Sequence, residues 1–295
     1  MKDVIVKALA YDKSVRVYAV STTNALNEIG SRLNYFPSAL DAMGRVLSMG
    51  AMMGSMLKLE ETLTLKVEGD GPIGKIIVDA DAHGHIRGYC DNPHCHFEYN
   101  DYRLNAKQTI GTTGFISIIK DLKLKEPFIG STPIISGEIA EDFAYYFQVS
   151  DQVPSAVGLG VLVDTDNKAV ASGGFIIQLL PNTPDEVITK LEQKLKMIPT
   201  VSEMLTSGYE PADIIYNIAD DVEIIDTVDV EFRCNCSKDR FARGIMSLGK
   251  DELLDMIKDD KEIETTCHFC GNKYNFSIEE LKELYELISK GDKSC

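Results

Sequence analysis

Four of the seven cysteines form two close pairs near the C-terminal end of the chain. Cys234 and Cys236 are separated by one residue, Cys267 and Cys270 by two, and thirty residues lie between the pairs. Two such pairs on separate turns can supply four thiolates to a tetrahedral Zn²⁺ ion, and Gly271 suits the tight turn behind the second pair. Because four sulfurs leave no open coordination position, the frame predicts one structural zinc ion rather than a hydrolytic centre.

The region around these cysteines is small enough for the metal to decide its stability. A helix is predicted from Ile278 to Ile288, with Ser277 as N-cap and Glu280 completing a capping box. Structural zinc contributes about 10 to 16 kcal/mol of apparent binding free energy, whereas a typical domain is stable by about 5 to 15 kcal/mol. Loss of the metal is therefore expected to unfold the region. Because thiolates can be oxidised, the frame is either purely structural or also a redox sensor, and the residues alone leave both open.

Acidic side chains are concentrated in the middle of the chain. The protein has 46 acidic and 30 basic residues, a formal charge of -16, and residues 181–231 hold 12 acidic but only 3 basic groups. This shift divides the sequence into three predicted domains, residues 1–180, 181–231 and 232–295. So acidic a chain argues against nucleic acid and anionic membranes as partners, since both attract Lys and Arg.

The location is expected to be cytoplasmic. The N-terminal apolar run is broken by Lys7 and Asp12, unlike a secretory signal, and no stretch approaches the roughly 18 apolar residues that span a bilayer. In a reducing compartment, closely spaced cysteines are more often metal ligands or redox-active thiols than structural disulfides.

Residues 1–180 show the pattern of an α+β domain. The alternating runs Val4–Ala10 and Val15–Val20 flank a polar turn and predict a hairpin. A helical stretch follows, is interrupted at Pro37 and resumes to about Leu59. Further strand-like runs are joined by links too short for parallel crossovers, so an antiparallel sheet is predicted. These runs are residues 62–68, 75–79, 115–120, 157–163 and 174–180.

The acidic segment 181–231 reads as short amphipathic helices. Capping boxes are predicted at Thr183 with Glu186 and at Thr200 with Glu203, and Pro211 opens a third helix. The many carboxylates allow two interpretations. The segment is either an ordinary helical layer with a solvated face, or a metastable linker that opens easily and then exposes its apolar side.

The stretch Gly69–Lys75, GDGPIGK, partly matches two nucleotide-binding motifs. Both motifs need a helix directly after the glycines, because its N-terminal amides hold the phosphates. Here a β-branched run begins at Ile76, which also stands where magnesium would need a hydroxyl. The stretch therefore predicts a turn between two strands and no nucleotide site.

A second cluster, Cys90, His94, Cys95 and His96, matches no common zinc frame, and core or surface roles explain it adequately. We assign no role to Cys90, Cys95 or Cys295. Five of the ten methionines fall between Met43 and Met56. Thioethers suit promiscuous binding surfaces as well as irregular cores, and core packing is the preferred interpretation here.

The cysteine frame, read with its neighbours, resembles the redox-regulated holdase chaperones known as heat-shock protein of 33 kilodaltons. The resemblance runs through nearly the whole chain and rests on the segments CNCSKDRF, CHFCGNKYNFS, EGDGPIGKI, IRGYCDNP, ISGEIAEDFAYYF, PSAVGLGVLV and SGGFIIQLLP. It implies an N-terminal α+β core, a metastable helical linker and a C-terminal zinc domain. It also implies a chaperone that needs no ATP and is not an enzyme.

The resemblance further implies roles for individual residues. Cys234, Cys236, Cys267 and Cys270 would bind one Zn²⁺ per chain in the reduced, inactive form. On oxidation Cys234 would pair with Cys236 and Cys267 with Cys270, zinc would leave, and the C-terminal region and linker would unfold. The active form would be a homodimer that holds unfolding client proteins and later passes them to ATP-driven foldase chaperones.

Two other classes of function remain possible on the residues alone. A zinc-ribbon binding module would recruit nucleic acid or a protein partner, although the nearly neutral third region weighs against nucleic acid. A thiol-disulfide oxidoreductase would use Cys267 and Cys270, but such enzymes place their motif at a helix N-terminus. The sequence around Cys270 instead predicts a metal-binding turn.

Overall fold

The structure is a computed structural model that describes residues 2–100 and 103–291. The chain divides into two compact units, Met1–Arg233 and Cys234–Cys295. The acidic segment 181–231 belongs to the first unit together with residues 1–180. In the part of the chain that the structure describes, no helix is both long and apolar enough to cross a membrane.

The first unit contains an antiparallel five-stranded sheet. In spatial order its strands are β10 (Glu223–Asp229), β1 (Val4–Ala10), β2 (Val15–Ser21), β9 (Ala169–Leu179) and β8 (Ser155–Val163). The β1–β2 pairing confirms the predicted hairpin. Its turn places Tyr11, Asp12 and Lys13 in the left-handed region, with φ between 49° and 63°.

A second sheet has six strands. In spatial order these are β11 (Glu231–Phe232), β5 (His85–Cys90), β4 (Lys75–Asp81), β3 (Thr62–Gly69), β6 (Gly114–Asp121) and β7 (Phe128–Pro133). Neighbours pair antiparallel as predicted, except that the two-residue strand β11 runs parallel to β5. The glycine-rich stretch after β3 is the predicted turn and leads directly into β4.

Helix α2 (Pro37–Gly54) packs against both sheets and forms the centre of the first unit. Pro37 occupies its first turn, where no amide donor is missed, and α1 (Thr23–Leu33) precedes it. Because α2 is covered on all sides, nearly every one of its residues is buried, including Met43, Met49 and Met52. The methionines therefore pack the core, as predicted. Two shorter elements, α3 (Ala106–Ile110) and α4 (Ile139–Val149), complete the middle of the chain.

Three helices of the acidic segment cover the other face of the five-stranded sheet. They are α5 (Asp185–Leu195), α6 (Val201–Thr206) and α7 (Pro211–Ile218). Helix α6 packs on β8 and β9, α7 packs on β1 and β2, and α5 packs on α7. The cluster between them includes Val6, Val17, Ala19, Leu191, Val201, Met204, Ile214, Ile215 and Ile218, all buried. The apolar faces of these helices are thus used within the first unit.

The acidic segment differs from the sequence prediction in two places. The predicted capping box at Thr200 and Glu203 is present, but the prediction of a box at Thr183 and Glu186 is wrong. The Thr183 hydroxyl instead donates to the carbonyls of Ser14 and Leu180, at 2.8 and 2.7 Å, which anchors the segment to the hairpin. The segment also ends in strand β10 rather than in helix, because β1 offers a free edge for its backbone.

The second unit is a small α+β module. Its elements are α8 (Lys238–Ser247), α9 (Lys250–Lys258), β12 (Ile263–Thr266), β13 (Lys273–Phe276) and α10 (Ile278–Gly291). The core has four buried apolar side chains, Ile245, Leu253, Phe276 and Leu281. The amide of Ser277 donates to Glu280, and the amide of Glu280 donates to the Ser277 hydroxyl, which confirms that capping box. Cys295 lies outside the described residues.

Candidate metal centre

The four cysteines of the predicted frame come from two separate segments of the second unit. Cys234 and Cys236 lie in the extended segment before α8, whose N-cap Ser237 accepts a hydrogen bond from the Arg240 amide at 3.2 Å. Cys267 and Cys270 lie on the turn between β12 and β13. Since the hairpin fixes one pair and the helix start fixes the other, the local fold sets the positions of all four sulfurs.

The turn between β12 and β13 has the tight shape expected of a metal-binding knuckle. The Cys267 amide donates to the Asn272 carbonyl at 2.9 Å, and the Gly271 amide donates to the Cys267 carbonyl at 2.8 Å. Gly271 has a φ of 72°, in the left-handed region that glycine adopts without strain. The turn predicted at Gly271 is therefore present.

The four sulfurs converge on one point. All four Sγ atoms lie within 4.8 Å of one another. The Cys234 and Cys267 sulfurs are 3.7 Å apart, and those of Cys236 and Cys270 are 3.4 Å apart. Sulfurs at about 2.3 Å from a tetrahedral zinc ion are about 3.8 Å from each other. The four cysteines are thus positioned to bind one metal ion, and their spacing and donor type are compatible with zinc.

The thiols differ in how readily they ionise. Burial raises the pKa of Cys267, and burial also raises that of Cys270 above its usual range. At Cys236 burial opposes ionisation, but hydrogen bonds from Tyr274 and the other three cysteines outweigh it and lower the pKa to about 7. Four thiolates in so small a space repel one another, so a cation is the natural partner for the fully ionised set.

One neighbour of the cluster was missed by the sequence reasoning. The hydroxyl of Tyr274, on β13, lies 3.1 Å from the Cys236 sulfur, and its ring packs 5.1 Å from that of Phe241 on α8. A hydrogen-bond donor to a metal-bound sulfur orients the ligand and tunes its charge. In the sequence, Tyr274 stands four residues after Cys270, at the start of the strand that follows the predicted metal-binding turn. The spacing of the cysteines does not show which side of that strand faces the sulfurs.

The cysteines of the first unit lie outside this arrangement. Cys90 and Cys95 are buried free thiols, and burial raises the pKa of Cys90 to about 12. Among the described residues, the four-cysteine cluster is the single group of His, Cys, Asp and Glu side chains with metal-binding geometry. Cys90 and Cys95 belong to the core between α2 and the sheets.

Fold and site together define a two-unit α+β protein whose smaller unit carries four cysteines positioned to bind one metal ion. The Hsp33 protein family model matches residues 3–277. The chain is 50% identical over 290 residues to the 33 kDa chaperonin of Bacillus pumilus, covering 98% of this chain and 100% of that protein. It is 49% identical to that of Bacillus licheniformis, over 97% of this chain and 100% of the relative.

A solved structure extends the likeness to the fold. The 33 kDa chaperonin of Thermotoga maritima, a heat shock protein 33 homologue, superposes with a TM-score of 0.91 at 32% identity, covering 98% of this chain and 100% of that chain. The chain therefore belongs to the Hsp33 family. Membership supports a chaperone function and confirms the prediction that the protein is not an enzyme.

Proposed function

We propose that this protein is an ATP-independent, redox-regulated holdase chaperone that binds unfolding client proteins. The reduced form, with one Zn²⁺ on Cys234, Cys236, Cys267 and Cys270, is inactive, and oxidation activates it. The observation that carries this proposal is the four-sulfur cluster, since its ligands are both the support of a small fold and the groups that oxidants attack.

The metal would be the main support of the second unit. Four buried apolar side chains form a small core, and burying such a side chain contributes only about 1.5 to 3 kcal/mol. A structural zinc ion contributes about 10 to 16 kcal/mol. Removing the ion would also leave the four thiolates without their counter-ion. Zinc release is therefore expected to unfold residues 234–291.

Oxidation would form one disulfide within each cysteine pair, Cys234–Cys236 and Cys267–Cys270. Formation of each S–S bond removes two electrons from two thiolates; a peroxide accepts them together with two protons, its O–O bond breaks, and it is reduced to water, or to water and an alcohol. In the folded state close sulfur contacts also run between the two cysteine pairs, at 3.7 and 3.4 Å. Disulfide formation within each pair needs no tertiary structure, so it is favoured once the ion has left and the unit has opened.

The acidic segment would be the linker that responds. Only Arg233 lies between the end of strand β11 and the first ligand, Cys234, and only Val230 separates β11 from β10. Unfolding of the second unit therefore frees the chain directly behind these two strands. The linker carries 12 carboxylates and 3 basic groups, whose mutual repulsion favours extension once packing is weakened. Displacing α6 and α7 would uncover the apolar sheet face formed by residues such as Val6 and Val17.

The remaining features of the proposed function are those that the resemblance to the family implies. The active form would be a homodimer, would reside in the cytoplasm, and would later release its clients to ATP-driven foldase chaperones. Residues 1–180 would form the core domain, residues 181–231 the linker and residues 232–295 the redox switch.

Aggregation of an unfolding client provides the test. Light scattering is recorded with reduced protein, and with protein treated with peroxide or hypochlorite, while released zinc is measured in the same samples. Only the oxidised, zinc-free protein should suppress aggregation, and hydrogen exchange in residues 184–226 should accelerate with it. Equal suppression in both redox states would refute the switch, and unchanged protection of the linker would refute its opening.

A further inference from the structure

Strand β10 closes the edge of the five-stranded sheet with a segment of the acidic linker. It pairs antiparallel with β1, in a register from Val4 opposite Asp229 to Leu9 opposite Glu223. Backbone hydrogen bonds bracket the pairing, from the Val230 amide to the Asp3 carbonyl at 2.9 Å and from the Tyr11 amide to the Asp220 carbonyl at 3.2 Å. Without β10, the backbone of β1 would be a free sheet edge.

This edge strand is weakly anchored by its side chains. None of the seven residues of β10 is buried, and the Ile225 side chain is 56% exposed. The register with β1 also shifts between Lys7 and Ala8. By contrast, β1 has four buried residues and belongs to both cores of the unit. Few buried contacts mark the part of a fold that opens first, so β10 can leave while β1 stays folded.

A ladder of ion pairs holds β10 in place. Carboxylates recur at every third position, and each meets a lysine. Three pairs join β10 to β1 or its flanks: Glu223 with Lys13 at 3.0 Å, Asp226 with Lys7 at 3.2 Å and Asp229 with Lys2 at 2.6 Å. The fourth, Asp220 with Lys194 at 2.5 Å, lies within the acidic segment, just before β10. Three of the four lysines belong to β1 or to the residues that flank it. The edge of β1 is therefore complementary to an acidic extended segment, in charge and in backbone hydrogen bonding.

We propose that the edge of β1 is a docking site for client polypeptide, and that β10 occupies it as an autoinhibitory stand-in. The inference deepens the proposed holdase function and rests on it. After activation, an extended segment of an unfolding protein takes the place of β10 and adds a strand to the sheet. Backbone hydrogen bonds supply sequence-independent affinity, which a chaperone for many clients needs.

The lysines and the sheet faces set the preference among clients. Val6 and Ala8 lie on the face that the linker helices cover, and Ile5 lies on the face toward α2. The favoured partner alternates apolar and polar residues, carries carboxylates near Lys7 and Lys13, and lacks proline within the paired stretch. The β10 sequence itself, EIIDTVD, has two of these features, carboxylates and no proline.

The test uses a fluorescent peptide with the sequence of residues 221–230 and the full-length chain. Anisotropy should show binding to the oxidised, zinc-free protein and little binding to the reduced protein, in which β10 blocks the edge. Peptide binding should also slow hydrogen exchange across β1. Equal affinity for both redox states, or exchange in β1 that the peptide leaves unchanged, would overturn the proposal.

Charge reversal adds a matched control. The variant Lys7→Glu with Lys13→Glu should bind the native peptide about tenfold more weakly and prefer a peptide with lysine in place of Glu223 and Asp226. The control variant, Lys66→Glu with Lys75→Glu, reverses the same charge on the other sheet and should behave as the unaltered protein. An unchanged preference in the first variant, or the same change in both, would contradict docking at β1.

The aggregation assay separates this inference from the holdase function itself. If the oxidised protein suppresses aggregation but leaves the peptide unbound, the docking site is wrong and the function stands. If the peptide binds at β1 but aggregation is never suppressed, the site stands and the holdase function is wrong.

Discussion

Ile215 offers a direct way to weaken the linker without touching the cysteines. Its side chain is fully buried between α7 and the five-stranded sheet. Truncating a buried isoleucine to alanine costs about 2 to 5 kcal/mol, since apolar contacts are lost and a cavity remains. Because α7 packs on β1 and β2, most of this cost should fall on the equilibrium between docked and open linker.

The free-energy cost of Ile215→Ala sets the expected increase in the hydrogen-exchange rate of the linker amides. A loss of about 2 to 5 kcal/mol corresponds to roughly 30-fold to several-thousand-fold more open linker, since about 1.4 kcal/mol is a factor of ten. Amides of α7 in the reduced, zinc-bound Ile215→Ala protein should exchange faster by such a factor where exchange is limited by opening. The same protein should suppress client aggregation without oxidation, at constant zinc content.

Tyr216 provides the control because it is the next residue of α7 and its side chain is 54% exposed. Tyr216→Ala should change linker exchange by well under tenfold, as expected of a surface substitution within about 0.5 kcal/mol. The reasoning fails if Ile215→Ala leaves α7 protected. It also fails if the linker opens and the reduced protein still lacks holdase activity, since opening would then be insufficient.

Four further predictions concern the metal, a glycine in the core, a glycine on helix α8 and a buried thiol. Cys270→Ser should abolish stoichiometric zinc binding and unfold the second unit, whereas Cys90→Ser should keep the zinc, as measured by metal analysis and circular dichroism. Gly44→Ala should destabilise the first unit by about 1 to 3 kcal/mol in denaturant titration, because the new Cβ would lie 2.6 Å from Leu26. Gly244→Ala, with open space around it in helix α8, should raise helix stability by about 0.4 to 1 kcal/mol. Since burial raises the pKa of Cys90 to about 12, this thiol should resist alkylation at pH 8 until the first unit is unfolded by denaturant.

The four-cysteine cluster could be predicted from sequence because each pair of cysteines is close in the chain. A metal site of two short cysteine motifs requires only that the two motifs come together in the fold, since the spacing within each motif already places its two sulfurs near each other. Tyr274 could not be predicted in the same way, since its contact with Cys236 depends on how β13 is oriented against the segment before α8. Hydrogen bonds to a ligand depend on tertiary placement rather than on spacing.

The fold shows the same division between local and distant causes. The hairpin of β1 and β2, the turn after Gly69 and the box at Thr200 depend on neighbouring residues and were predicted. Strand β10 was not, because its partner β1 lies more than two hundred residues earlier in the chain. Its charged residues also recur every three positions, a spacing that does not alternate as in a half-buried strand.

The position of β10 changes the meaning of the acidic composition. Repulsion among carboxylates alone would make the linker unstable in every state, yet three of them are neutralised by lysines of β1 and its flanks when β10 is docked. Exposed ion pairs contribute only about 0.2 to 1 kcal/mol each, so this ladder holds the strand without fixing it. Once β10 is released, these three carboxylates lose their partners and repel one another, which opposes re-docking. The carboxylates of β10 therefore stabilise the closed linker while they are paired with lysines. Without those lysines they favour the open linker, as a switch between two states requires.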